Sequence, residues 1–159
     1  MIRLGLVGLG KMGISHLSIA GATPGVEIAG VCDANFVLLD TLKKQTGVPT
    51  YGSLAKMIEE ARLDAVLIAT PSKLHGPMVR AALEANLHVF CEKPFCLDLE
   101  EGQALSAMAA ERGLVNQVGY HYRFVAAFEE ARRLLKAGAI GKVHSFRVEA
   151  YGPVVLRPK

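Results

Sequence analysis

The chain has 159 residues, a formal charge of +3, and 51% apolar against 21% charged side chains, the balance of one folded domain or at most two small ones. That apolar share excludes a disordered chain, and 7 prolines with unperiodic glycine exclude a collagen-like or low-complexity one. Basic residues are scattered without a Lys/Arg run, so neither nucleic acid nor a membrane is expected as a partner.

In chain order, short apolar runs rich in β-branched residues alternate with longer segments of helical period. Strands are predicted over 2–7, 26–32, 65–69, 87–91 and 114–118. They are nearly continuous in apolar residues, as strands covered on both faces of a parallel sheet are. Helices are predicted over 12–22, 37–45 and 77–85, with a further one opened by Ser53 and one over 99–112 capped by Asp98 with Glu101 as its capping-box partner. Gly47-Val48-Pro49, Asn86 and Gly113 are the stop signals. Alternation at this spacing implies right-handed βαβ units, hence an α/β fold of the Rossmann type with a doubly wound parallel sheet. One more amphipathic helix follows over 124–137, with Phe128, Ala131, Leu134 and Leu135 on one face. Residues 142–151 then alternate with period 2, which predicts a half-exposed strand that lacks a partner in this chain. The expected division is a dinucleotide-binding domain over 1–122, with 123–159 as connecting helix and first strand of an incomplete second α/β domain.

Gly8-Leu9-Gly10-Lys11-Met12-Gly13 matches G-x-G-x-x-G directly after a strand and at the opening of a helix. Gly8 allows the tight turn, Gly10 lets backbone approach a diphosphate, and Gly13 lets helix and strand pack closely. The unpaired amides at the helix start then face the anion. Asp33 closes the second strand 20 residues beyond Gly13, where a carboxylate accepts from the ribose hydroxyls and repels a 2′-phosphate. No Lys or Arg follows in Ala34-Asn35-Phe36, which favours NAD over NADP. The plainer alternatives are a glycine turn without ligand and an aspartate serving only its own turn.

Two further segments leave the carboxyl ends of strands, the edge at which open α/β sheets bind ligands. They are Thr70-Pro71-Ser72-Lys73-Leu74-His75 and Glu92-Lys93-Pro94. Together with the glycine turn, His16, Asp33 and the segment Gly119 to Phe124, they make the chain resemble the glucose–fructose oxidoreductase, inositol dehydrogenase and rhizopine-catabolism (Gfo/Idh/MocA) family over residues 2–151. The resemblance implies a polyol or sugar dehydrogenase with a nicotinamide cofactor. It places Lys93 near the nicotinamide and the reacting hydroxyl, where an ammonium donates to the oxygen that gains charge. It implies cofactor contacts from Thr70, Pro71, Ser72, His75, Glu92, Lys93 and Pro94, with Glu92 orienting Lys93 or the cofactor and Pro94 a candidate cis peptide. Tyr122 and Arg123 are the candidate substrate ligands. The alternative for Lys93 is a solvated surface lysine.

The chain departs from the family pattern at Ser72, where Asn is usual, at Asn86-Leu87, and at Tyr120-His121-Tyr122-Arg123. The family's second domain, with its Asp and its proton-accepting His, has no counterpart in these 159 residues. Expected function is therefore the cofactor-binding part of an NAD-dependent oxidoreductase acting on a secondary alcohol of a sugar, inositol or related polyol. The alternative is a non-catalytic dinucleotide-binding sensor or regulatory module. A semialdehyde-dehydrogenase-like or dihydrodipicolinate-reductase-like chain is disfavoured by Glu-Lys-Pro. A homo-oligomer through the 142–151 strand is expected.

Five histidines (His16, His75, His88, His121, His144) fall on separate elements, so no metal is expected. His16 reads as packing and His88 as a core-edge residue. Cys32, Cys91 and Cys96 are an odd set without a ligand cluster and read as reduced thiols. Cys91 in particular reads as a small buried side chain. The apolar start is too short to span a bilayer and has no cleavage pattern, so a cytoplasmic address is expected.

Overall fold

Apolar runs rich in valine, isoleucine and leucine form the inner strands of one sheet in the computed structural model, which describes residues 1–149. The strands are β1 (Ile2–Val7), β2 (Val26–Cys32), β3 (Thr50–Tyr51), β4 (Ala65–Ile68), β5 (His88–Cys91) and β6 (Asn116–Val118). Every pair is parallel, in the order β3-β2-β1-β4-β5-β6. The chain works outward from β1 through β2 to β3, then returns to the other side of β1 for β4. That reversal opens a crevice beyond the carboxyl ends of β1 and β4, the place where such sheets take ligands.

Side-chain alternation along β1 feeds two cores. Val7 joins Val66, Ile68 and Cys91 beneath α3 (Leu54–Glu60), α4 (His75–Glu84) and α5 (Leu99–Glu111), which contribute Met57, Val79, Leu83 and Leu105. Leu6 joins Val31 and Leu67 on the opposite face, with Leu17 of α1 (Lys11–Gly21) and Leu39 of α2 (Phe36–Thr46). Leu6, Met57, Leu83 and Leu105 are fully buried, each contributing roughly 1.5–3 kcal/mol of transfer free energy. Met57 lies over two glycines of adjacent strands: a Cβ on Gly5 or Gly30 would stand 2.9 or 3.1 Å from its side chain.

Caps set the helix boundaries as the sequence implies. Ser53 accepts from Lys56 N, and Asp98 accepts from Glu101 N at 2.8 Å. Asn86 adopts φ +59 after α4. The structure departs from these expectations in several places. β3 is only two residues long, too short to show a period, and owes its existence to pairing with Val31 and Cys32. α4 opens at His75, after a 3-10 turn over Ser72–Leu74, because Pro77 sits in its first turn, where no intrahelical donor is required. β6 starts at Asn116 because the Leu114 amide is still held by Ala109 O at the end of α5.

The chain divides into two compact units, Met1–Tyr120 and His121–Lys159. The second begins with a 3-10 turn, His121–Phe124, and continues as α6 (Ala126–Lys136). Glu130 takes a two-pronged bond from Arg133 along the helix. The predicted strand over 142–151 is not found: residues 142–149 adopt no strand, since no neighbouring ladder satisfies their amides, and 150–151 lie outside the described residues. No helix among the described residues is long and apolar enough to cross a membrane.

Candidate functional site

The glycine turn links the end of β1 to α1. Gly8 holds φ +98, and a Cβ there would stand 2.7 Å from Ala69 O. A Cβ on Gly13 would fall 1.7 Å from Gly8 O, so helix and turn touch backbone to backbone. Gly10 differs: a Cβ there would meet no protein atom within 4 Å. Nothing inside the protein asks for glycine at that position, whereas a group approaching from the crevice would. α1 has no side-chain cap and no acidic residue in its first turn, so its leading amides and partial positive charge are left for an anion.

Asp33 turns toward the same place. Its Oδ2 accepts from Leu9 N at 2.5 Å, and its Oδ1 accepts from Asn35 N at 2.7 Å. The carboxylate thus ties β2 to the glycine turn and fixes its own loop. Each oxygen keeps further acceptor capacity for ligand hydroxyls. Gly8, Leu9, Gly10, Asp33, Thr70 and Pro71 are brought together around one cavity of about 630 Å³. Sequence reasoning did not assign the rest of its lining, which includes Asn35, Leu38, Leu74 and Met78. Leu74 and Met78 are four residues apart, a spacing that in sequence is indistinguishable from ordinary helix core. Asn35 carried a usable signal, since its side chain caps α2 through Val37 N and Leu38 N. No Lys or Arg lines the cavity.

Lys11 and Met12 lie in the exposed first turn of α1, and neither they nor Ser72 line that cavity. His75, expected as a cofactor contact, is buried between the Thr70-Pro71 loop and Pro94. It is 1% exposed, with Nδ1 2.6 Å from Pro94 O and Nε2 2.8 Å from Thr70 O. Both ring nitrogens face carbonyl oxygens, one on each ligand-edge loop, so the side chain is packed between these loops. The Lys93–Pro94 peptide is cis. Glu92 is buried, its Oε2 accepting from Lys93 N at 3.1 Å and its Oε1 from His16 Nε2 at 2.8 Å. His16 does pack, edge-on to Phe90, but no local pattern signals its bond to Glu92. Lys93 is exposed and makes no ion pair with any described residue.

Tyr122 and Arg123, in the second unit, line a shallow recess of about 280 Å³ with Phe128, Glu129 and Arg132. Tyr122 meets Phe128 edge-on at 5.7 Å. Cys32 and Cys91 are buried free thiols. Burial, helped by the Asp33 charge, pushes the Cys32 thiol up to about 11. Burial, then Glu92 and Cys96, push Cys91 up to about 12. Neither is a nucleophile at neutral pH. No group of His, Cys, Asp and Glu suited to a metal occurs among the described residues.

Comparison with known proteins agrees with this geometry. Residues 2–120 match the Gfo/Idh/MocA family model, described as an oxidoreductase family with an NAD-binding Rossmann fold. The chain is 34% identical over 143 residues to scyllo-inositol 2-dehydrogenase (NAD(+)) of Bacillus subtilis, covering 89% of this chain and 42% of that protein. It is 37% identical over 142 residues to the rhizopine catabolism protein MocA of Rhizobium meliloti, covering 89% and 44%. The crystal structure of Lactobacillus casei scyllo-inositol dehydrogenase with NAD(H) and scyllo-inositol superposes with a TM-score of 0.82 at 33% identity, over 89% of this chain and 42% of that one. The chain therefore spans less than half the length of these relatives.

Proposed function

The chain belongs to this oxidoreductase family with its NAD-binding Rossmann fold, and from that membership we propose that it binds NAD in the crevice beyond β1, β2 and β4. It is then the coenzyme-binding part of a dehydrogenase acting on a secondary alcohol of an inositol, a sugar or a related polyol. The observation that carries the reading is Gly10, a glycine with no internal reason to lack a side chain, beside a cavity whose lining includes the Asp33 carboxylate and no basic residue. The turn amides of Gly10 to Gly13 take the diphosphate, and Asp33, which holds the Leu9 amide, takes the ribose hydroxyls while disfavouring a 2′-phosphate.

NAD, when bound, supplies the acceptor for a hydride. Lys93 is assigned to the reacting hydroxyl, where its ammonium donates to the oxygen as charge grows there. Thr70, Pro71, Ser72 and Pro94 form the cofactor edge, and Tyr122 and Arg123 are assigned to substrate. We take residues 1–122 as the dinucleotide-binding domain and 123–159 as the start of a second domain, a division supported by the extent of the family match. Free thiols at Cys32, Cys91 and Cys96 support a cytoplasmic location. Self-association through residues 142–151 is the proposed route to an oligomer, supported by the exposure of Phe146 and Val148.

Titration of the purified chain with NADH and with NADPH, followed by nicotinamide fluorescence, tests the reading. Saturable binding that favours NADH is expected. A chain that binds neither coenzyme overturns it.

A further inference from the structure

The residues on either side of Lys93 are each anchored by a histidine from a different element. On the amino side, Glu92 is a buried carboxylate, 9% exposed, at the end of β5. A buried charge is stable only with partners. It has two: the Lys93 amide at 3.1 Å and His16 Nε2 at 2.8 Å. The carboxylate only accepts, so His16 carries its proton on Nε2. The space Glu92 occupies depends on Gly119, where a Cβ would stand 3.1 Å from Oε1. On the carboxyl side, the Pro94 carbonyl lies 2.6 Å from His75 Nδ1, and His75 Nε2 lies 2.8 Å from Thr70 O.

Lys93 itself is exposed and has no ion pair with any described residue. Its backbone is therefore placed by its neighbours: these anchors, and the sheet bond from Glu92 N to Ile68 O at 2.9 Å. Both histidines sit in segments that build the crevice: His16 is three residues beyond Gly13 on α1, and His75 opens α4 after the Thr70-Pro71 loop.

We propose that His16 and His75 are positioning residues for Lys93, fixing it through Glu92 and Pro94 to the two segments that form the cofactor edge. This rests on the assignment of Lys93 to the reacting hydroxyl. A hydrogen bond lost at either anchor lets the Glu92-Lys93-Pro94 loop drift while leaving the glycine turn and Asp33 intact. The expected signature is impaired chemistry with coenzyme affinity preserved.

His16→Gln keeps an N–H at the reach of Nε2, whereas His16→Leu keeps bulk and removes the donor. His75→Asn, which keeps a donor at the reach of Nδ1, is paired with His75→Ala in the same way. Amide hydrogen exchange of the chain without coenzyme reads the anchor directly. His16→Leu should speed exchange at Lys93 roughly tenfold while the β1 and β4 amides hold, and His16→Gln should restore it. In the intact native enzyme, His16→Leu should lower kcat roughly tenfold with KM for NAD nearly unchanged, and His16→Gln should recover most of it. Unchanged Lys93 exchange in His16→Leu, or a Gln variant no better than Leu, overturns the proposal. Failure of the wild type to bind NADH instead overturns the underlying site assignment, and the Lys93 amide still reports whether His16 anchors it.

Discussion

The carboxylate of Asp33 at the end of β2 accepts the amide of Leu9 at 2.5 Å, bracing the glycine turn from the neighbouring strand. One side chain thus shapes the turn and presents acceptors to the crevice. The two roles are separable by experiment.

Asp33→Ala should weaken NAD binding about tenfold or more, as expected for losing a charge-assisted hydrogen bond, and should weaken NADP binding much less. Calorimetric titration of both coenzymes checks this. Equal losses for the two would assign Asp33 to the turn alone.

Gly10 and Gly13 should respond oppositely to alanine. At Gly13 the new Cβ would fall 1.7 Å from Gly8 O, so Gly13→Ala should lose about 3 kcal/mol or more of stability. At Gly10, with φ −67 and nothing nearby, Gly10→Ala should change stability by less than about 1 kcal/mol while coenzyme binding collapses. Urea melts with and without NADH distinguish the two.

Met57 spans two strands from above, so Met57→Ala should cost about 2–4 kcal/mol through the cavity left over Gly5 and Gly30. The urea midpoint should fall without a change in slope.

Thiol ionisation gives a pH dependence of definite sign. The folded chain holds Cys32 at about 11 and Cys91 at about 12, against an ordinary value of 9.0. Folding therefore disfavours the thiolates. Their contribution to stability is fully present below pH 9.0 and is lost as pH rises through about 11 to 12. Alkylation of the folded chain at pH 8, read by mass spectrometry, should mark the less buried Cys96 first. Early labelling of Cys91 would contradict this.

What the sequence made legible follows from where the information is local. Gly8, Gly13 and Asp33 could be read because a turn, a close approach and a strand-end acid each leave a fixed spacing. Ser53 and Asp98 could be read as caps for the same reason. The bond from His16 to Glu92 could not, because it joins residues 76 positions apart. The burial of His75 depends on two loops meeting, which no pattern within either loop encodes. Leu74 and Met78 line the cavity yet carry the spacing of core residues. The strand expected over 142–151 shows the converse: a period-2 pattern describes a tendency, and a strand forms only where another lies beside it.

The two rims of the sheet are its shortest members, Thr50–Tyr51 on one side and Asn116–Val118 on the other. Each offers an incoming chain too few free amides and carbonyls to template further growth. The long, apolar inner strands, which would stick to their own kind if laid bare, are thereby fenced from lateral stacking into fibres.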